Sequence, residues 1–325
     1  MQRLTSQDAT AFYTALSTGS SSLVAAALLS ACQLLQTQGV LNTNLPRWDL
    51  LAVRSVTKAQ RFFSRQCSAS LYKTLLATSE QHDRARLRSC SGVGAGAFLV
   101  CSPSVVENTE VSDAAFTHAV RWRLGLPVCA SNLFCSRAYS SDSRRVCGCA
   151  LDRLGDHLVC CGVGGYKTFL HSRIVAAVRA ILRDSGALVP DKEIFVAGRG
   201  TRPGEAARLE VEFVVAGVRR YVDVVVKHPR ARHVCCTAAD QDGAAAAQGE
   251  RDKLRRYPAV PERGLEPVLP FAVESFGRFG NSALRLLRSA RPRVLEGDSR
   301  FDGWLGHLLL QRWHARLSYA LICGL

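Results

Sequence analysis

RLEVEFVVAGVRRYVDVVVKHP, residues 208–229, is the most strongly patterned segment of the chain, and its pattern is that of a β-hairpin. Two runs rich in β-branched residues, Leu209–Val215 and Val218–Val226, flank Ala216-Gly217. Glycine there supplies the positive φ that a two-residue hairpin loop requires. Pairing Val215 with Val218 places Glu210 opposite Asp223. Directly opposed residues on antiparallel strands have Cβ atoms about 4.5–5.5 Å apart. Two carboxylates at that separation repel unless a cation lies between them, which is the geometry of a hydrolytic Mg²⁺ site.

The surrounding segments give this hairpin a mixed α/β context. Leu170–Leu188 reads mostly as a helix with Ile174, Val175, Val178, Ile181 and Leu182 on one face, closed by Gly186. Val189–Val196 reads as a short strand carrying Glu193. After the hairpin, Asp242–Tyr257 is alanine-rich and helical until Pro258 stops it, and Val268–Glu274 is a further strand. On the helix, Glu250, Lys253 and Tyr257 share one face by their i, i+3, i+7 spacing. Helix, strand, hairpin, helix and strand in that order predict helices covering a mixed sheet. Lys227 lies on the same strand face as Asp223 but about 13 Å along it, too far to serve the same centre. Lys253 can supply the ammonium group from a different backbone position.

Upstream, the segment to about residue 88 reads as helical, with a first helix capped by Asp8 or Thr10, an apolar one over Ser22–Gln36, and a third over Arg54–Lys73. Gly92, Gly94 and Gly96 precede a strand-like run in the wrong order for a dinucleotide loop, so a turn is expected there. Ala114–Leu126 reads as a helix ended by Gly125 and Pro127, and Trp304–Leu321 as a last amphipathic helix. Between them lies the densest cysteine cluster. Cys147, Cys149, His157 and Cys161 offer three thiolates and one imidazole, a complete tetrahedral Zn²⁺ shell. Asp156 could orient the neighbouring imidazole; Cys129 and Cys135 are spaced less convincingly and are left out of the set.

Composition limits the partners. The chain of 325 residues carries 42 Lys+Arg against 27 Asp+Glu, a formal charge of +15. Arginines gather in clusters such as Arg285/Arg288/Arg291/Arg293, which favours a polyanionic partner, nucleic acid before membrane. No run is long and apolar enough to suggest a membrane span, and no signal peptide is evident, so an intracellular, reducing location is expected, with the thirteen cysteines as thiols or metal ligands.

The ordered set Cys147/Cys149/His157/Cys161, His171, Glu193, Arg208-Leu209-Glu210, YVDVVVKHP and GERDKLRRY resembles one family: the restriction-enzyme-like endonuclease region at the carboxy end of site-specific non-LTR retrotransposon polyproteins. SGVGAGAFLVCSPS, RWRLGLPV, PFAVESFGRFG and RWHARLSYAL are similar to what flanks that region, so the resemblance covers roughly residues 88–320. It implies a restriction-endonuclease-like α/β fold divided into a helical N-terminal region (1–88), a connector (89–146), a CCHC zinc knuckle (147–172), the nuclease domain (173–290) and a C-terminal helix (291–325). It implies Glu210 and Asp223 as Mg²⁺-binding acids, Lys253 as catalytic lysine, and Glu193, Glu250 and Tyr257 as supporting residues. The implied activity is Mg²⁺-dependent nicking of target DNA in the nucleus, the freed 3′-hydroxyl priming reverse transcription, with retrotransposon RNA as a second ligand.

Two departures qualify the match. The family's first acid is usually Asp after an Arg-Pro or similar pair, whereas here it is Glu after Arg208-Leu209. Arg202-Pro203-Gly204-Glu205 fits that local motif better but would place Glu205 opposite His228, so Glu210 is preferred over Glu205 and Glu212. No reverse-transcriptase palm is recognisable, and the chain reads as a terminal piece of such an element. The alternative is a zinc-containing nucleic-acid-binding relic whose metal chemistry has decayed.

Overall fold

The computed structural model describes residues 37, 56–100, 111–191, 194–196, 207–258, 267–290 and 299–322. Glu193, Glu205 and the expected helices before residue 37 lie outside the described residues. The chain divides into two units, Met1–Ser79 and Glu80–Leu325. In the first, helix α1 (Val56–Thr78) runs slightly beyond the Arg54–Lys73 expectation.

The second unit begins before residue 88 because α2 (Gln81–Cys90) belongs to its core. Ala85 is buried among Cys235, Ala238, Ala239 and Ala244, and Arg88 donates to the Ala239 carbonyl and pairs with Asp242. The glycine-rich stretch that follows is turn and a 3₁₀ segment (Ala97–Leu99), as the order of its glycines suggested, with no strand. Helix α3 (Asp113–Leu124) is capped by the Ser112 hydroxyl and ends on left-handed Gly125.

The hairpin forms as its pattern predicts. Strands β5 (Val211–Val215) and β6 (Val218–Lys227) pair Val211 with Val222 and Val215 with Val218. Both turn residues, Ala216 and Gly217, have positive φ, the mirror-image turn whose twist matches the strands. Strand β6 then pairs in parallel with β7 (Leu269–Glu274), giving the order β5-β6-β7. The crossover between β6 and β7 is made by α6 (Cys235–Asp240) and α7 (Ala244–Arg256), the connection that parallel strands require. Beside this sheet, β3 (Ile194–Val196) and β4 (Ala207–Leu209) form a separate antiparallel pair. Of the strand expected over Val189–Val196 only Ile194–Val196 forms; residues 189–191 are irregular, preceded by a single bridge between Leu188 and Val214.

Alternation in the strands sorts the sheet into two faces. Val211, Phe213, Val222, Val224, Phe271 and Val273 point to one side, into the main core with α5 (Tyr166–Asp184), α8 (Asn281–Ser289) and α9 (Ser299–Ile322). Ile174, Val178, Ile181 and Leu182 of α5 are buried there, as the periodicity of that segment predicted. The opposite face carries Asp223, Ala272 and Glu274 and is covered by α7. That helix approaches closely because small residues line it: Ala244, Ala245 and Ala246 are buried, and a Cβ at Gly249 would come within 2.9 Å of Val225 Cγ1. Among the described residues no helix is long and apolar enough to cross a membrane.

Candidate functional site

The site forms where β5 peels away from β6. Ladder pairing with β5 ends at Val222, while β6 continues to Lys227 with only β7 beside it. Glu210, the residue just before β5, occupies the gap. Its Oε2 accepts from the Val224 N–H at 2.6 Å, and its Oε1 lies 3.2 Å from His171 Nε2. The same imidazole nitrogen is 3.2 Å from the Val224 carbonyl. A carboxylate and an imidazole thus take over the backbone groups that β5 leaves unpaired.

Asp223 is buried to 1% exposure, and Glu210 lies within hydrogen-bonding reach of it. Lys253, from α7, brings its Nζ to 2.7 Å from Asp223 Oδ2. That is an ion-pair distance, and apart from this contact both Asp223 oxygens are buried without a hydrogen-bond donor. Burial, and then the Glu210 charge, push the Asp223 carboxyl well above the usual carboxylate range. Burial would raise Glu210 too, but the hydrogen bond from His171 and another with Asp223 outweigh it and hold Glu210 down. The His171 ring is correspondingly raised by its bond to Glu210. The two acids thus titrate as a coupled pair, Asp223 displaced upward and Glu210 downward.

The remaining expected site residues divide. Tyr257 is buried against Leu209 and Val268, close enough for the Asp223 and Glu210 charges to raise its phenol further after burial has done so. Glu250 is turned away: its Oε1 accepts from the Ser282 N–H at 2.6 Å and caps the start of α8. Glu212 pairs with Arg219 at 2.8 Å, and Lys227 with Asp252 at 2.8 Å, so neither joins the centre.

A second cluster stands in the cysteine-rich segment. Strands β1 (Ala138–Tyr139) and β2 (Asp142–Val146) form a small hairpin, and the chain on both sides of it stays paired, with Cys135 N–H donating to the Cys149 carbonyl and Cys147 N–H to the Arg137 carbonyl. This brings Cys135, Cys147, His157 and Cys161 together, their ligand atoms all within 4.8 Å of one another. Three of the four expected ligands are present, but the fourth position belongs to Cys135 and not to Cys149. Cys135 is buried, while Cys149 is exposed and hydrogen-bonds only to the edge of the set through Cys147. The set excluded Cys135 because its spacing carries no signal; a strand pairing across the hairpin, not sequence proximity, delivers it. Three sulfurs and one imidazole in this arrangement could hold a metal ion such as zinc. The Cys147 thiol is lowered to about 6, chiefly by the Cys149 backbone N–H, as a thiolate ligand requires.

Asp156 does not orient His157 as expected. It reaches across to the end of β6, where its Oδ1 lies 3.2 Å from His228 Nε2 and its Oδ2 3.1 Å from Arg230 Nε. His228 continues to Ser275 Oγ at 2.7 Å. Asp152 instead organises the turn, accepting from the N–H groups of Leu154, Asp156 and His157. The cysteine module, through α4 (Asp156–Cys160), is thereby tied to the sheet beside the acid pair. No protein-family model and no curated protein matches the chain.

Proposed function

We propose that the chain is a metal-dependent DNA endonuclease, the nicking piece of a non-LTR retrotransposon, with a structural zinc site. The observation that carries this is the convergence of Glu210, Asp223 and Lys253 at the split between β5 and β6, from three separate segments of the chain. Two carboxylates at one buried point, Asp223 faced by the Lys253 ammonium and Glu210 beside it, offer hard oxygen ligands, which suit Mg²⁺ better than a soft metal. Glu210 and Asp223 would hold the Mg²⁺, whose chemistry there would be to polarise the phosphate and activate an attacking water. Asp223 would hold the ion in its ionised form, and Lys253 would set its ammonium against the charge that develops on the phosphoryl oxygens. His171 would hold Glu210 in place, and Tyr257 would support the pair from nearby. The arginine clusters would grip the DNA backbone, and retrotransposon RNA is a second candidate ligand. A nuclear location follows from such a target.

One observation favours the runner-up, a nucleic-acid-binding relic. Glu210 is already engaged by Val224 N–H and His171, where an Asp would leave more room for an ion. Incubating the purified protein with supercoiled plasmid, with and without Mg²⁺, separates the two. A nuclease converts it to nicked circles only with the metal, and Asp223→Ala abolishes nicking while leaving DNA affinity nearly unchanged. Binding without nicking in the wild-type protein would establish the relic.

A further inference from the structure

Beyond Val222 this edge of β6 has no partner strand among the described residues, Glu210 and His171 taking up the backbone of Val224, and a cleft of about 670 Å³ is lined by Val224–His228. Val224 turns its N–H and C=O toward this side, and the alternation of the strand aims those of Val226 the same way. The cleft is also lined by Val159 and Cys160 of α4, by Lys167 near the start of α5, and by Arg232 and His233. Among the described residues no carboxylate lines it. Its cations are of two kinds. Lys253 and Lys227 are held by Asp223 and Asp252. Lys167, Arg232 and His233 are exposed and make no ion pair or hydrogen bond among the described residues.

A cleft lined by one sign of charge concentrates counter-charge, and a lysine or arginine seated on a phosphate releases condensed ions. We infer that this cleft seats one strand of nucleic acid, with Lys167 and Arg232 gripping backbone phosphates on the zinc-module side of the acid pair and His233 adding a hydrogen bond. The position of the cut within that strand rests on the nuclease reading above; the seat itself does not. Between Asp223 and Lys227 the sheet strand advances about 13 Å. Lys253, beside Asp223, and Arg232, beyond Lys227 in the chain, line the same cleft, so phosphates of one strand can meet both. The zinc module becomes one wall of the substrate path, and Asp156 braces that wall against β6 through His228 and Arg230.

The test is fluorescence anisotropy of a labelled oligonucleotide in Mg²⁺-free, chelator-free buffer. It compares wild type with Lys167→Glu, Arg232→Glu, their combination, and Lys73→Glu on α1, an exposed lysine that does not line the cleft and lies in no arginine cluster. Each cleft variant is expected to weaken binding at least about tenfold more than Lys73→Glu does. The double variant should lower the slope of log affinity against log salt by about 1.4–1.8, two phosphate contacts' worth. Losses no larger than the Lys73→Glu control, or an unchanged slope, overturn the strand seat whatever the plasmid assay reports. Cleft-dependent binding by a protein that fails to nick supports the seat and retires only hydrolysis.

Discussion

Lys253 and Asp223 meet at 2.7 Å, although one stands on a strand and the other on the second helix after it. The meeting is possible only because α7 rests almost directly on β6, its glycine and alanines replacing the side chains that would otherwise hold the two elements apart. The ammonium also offsets part of the cost of burying the acid, since its charge opposes the upward push that burial and Glu210 exert on Asp223.

Lys253→Ala should reduce the single-turnover nicking rate about 10²–10³-fold, the usual loss when one transition-state donor is removed, with DNA affinity nearly intact. Without the cation Asp223 titrates higher still, so the acid limb of the pH–rate profile should move to higher pH. An unshifted profile with normal turnover would remove Lys253 from the mechanism.

Zinc content distinguishes the two candidate ligand sets directly. The wild-type protein is expected to hold one Zn²⁺ at this cluster. Cys135→Ser should lose most of it, while Cys149→Ser keeps it, as measured by elemental analysis after gel filtration. The reverse pattern would restore Cys149 to the coordination shell.

Gly249→Val tests the close contact of helix and strand. The new Cβ would press on Val225 Cγ1 at 2.9 Å and on the Lys227 stem at 3.2 Å. Overpacking of this kind costs about 1–3 kcal/mol, read from urea unfolding. Because the helix must lift, Lys253 moves away from Asp223, and nicking should fall more steeply than DNA binding. Wild-type stability and turnover in this variant would show that the packing is looser than the geometry indicates.

His314 makes stability depend on pH. The ring is buried in α9, stacked 5.6 Å from Phe279, with Nε2 unpartnered, and burial followed by the Arg288 charge lowers its pKa from 6.5 to about 4. A depressed histidine pKa means that the unfolded chain takes up the proton first. This group's contribution is therefore full above about pH 6.5, is lost progressively as pH falls, and levels off below about 4. The loss amounts to about 3 kcal/mol, and His314→Phe should flatten that part of the stability profile in urea titrations at pH 7.5, 6 and 4.5. A wild-type profile that rises on acidification would contradict a neutral buried ring.

What the amino-acid order determined by itself is local. Period-two β-branched runs around Ala216-Gly217 set the hairpin and its register as far as Val211 and Val222, one residue short of Glu210 and Asp223. The 3.6-residue pattern and its glycine and proline stops set α5 and α7 to within a few residues. Each of these depends on neighbours a few positions apart, where backbone sterics and side-chain alternation leave few choices. What only the tertiary structure decided are the partners delivered by distant segments. Cys135 takes the place expected of Cys149 because a strand pairing folds it inward. Asp156 serves His228 and Arg230 in place of its neighbour His157. Glu250 caps α8, although it shares a helical face with Lys253, because one further turn along the helix lies over a different strand. His171 stood in the ordered set without a role, and finds one only where β5 leaves a backbone pair for it and Glu210 to satisfy. Such contacts are chosen by the packing of whole elements against each other, and no short window of sequence contains that sum.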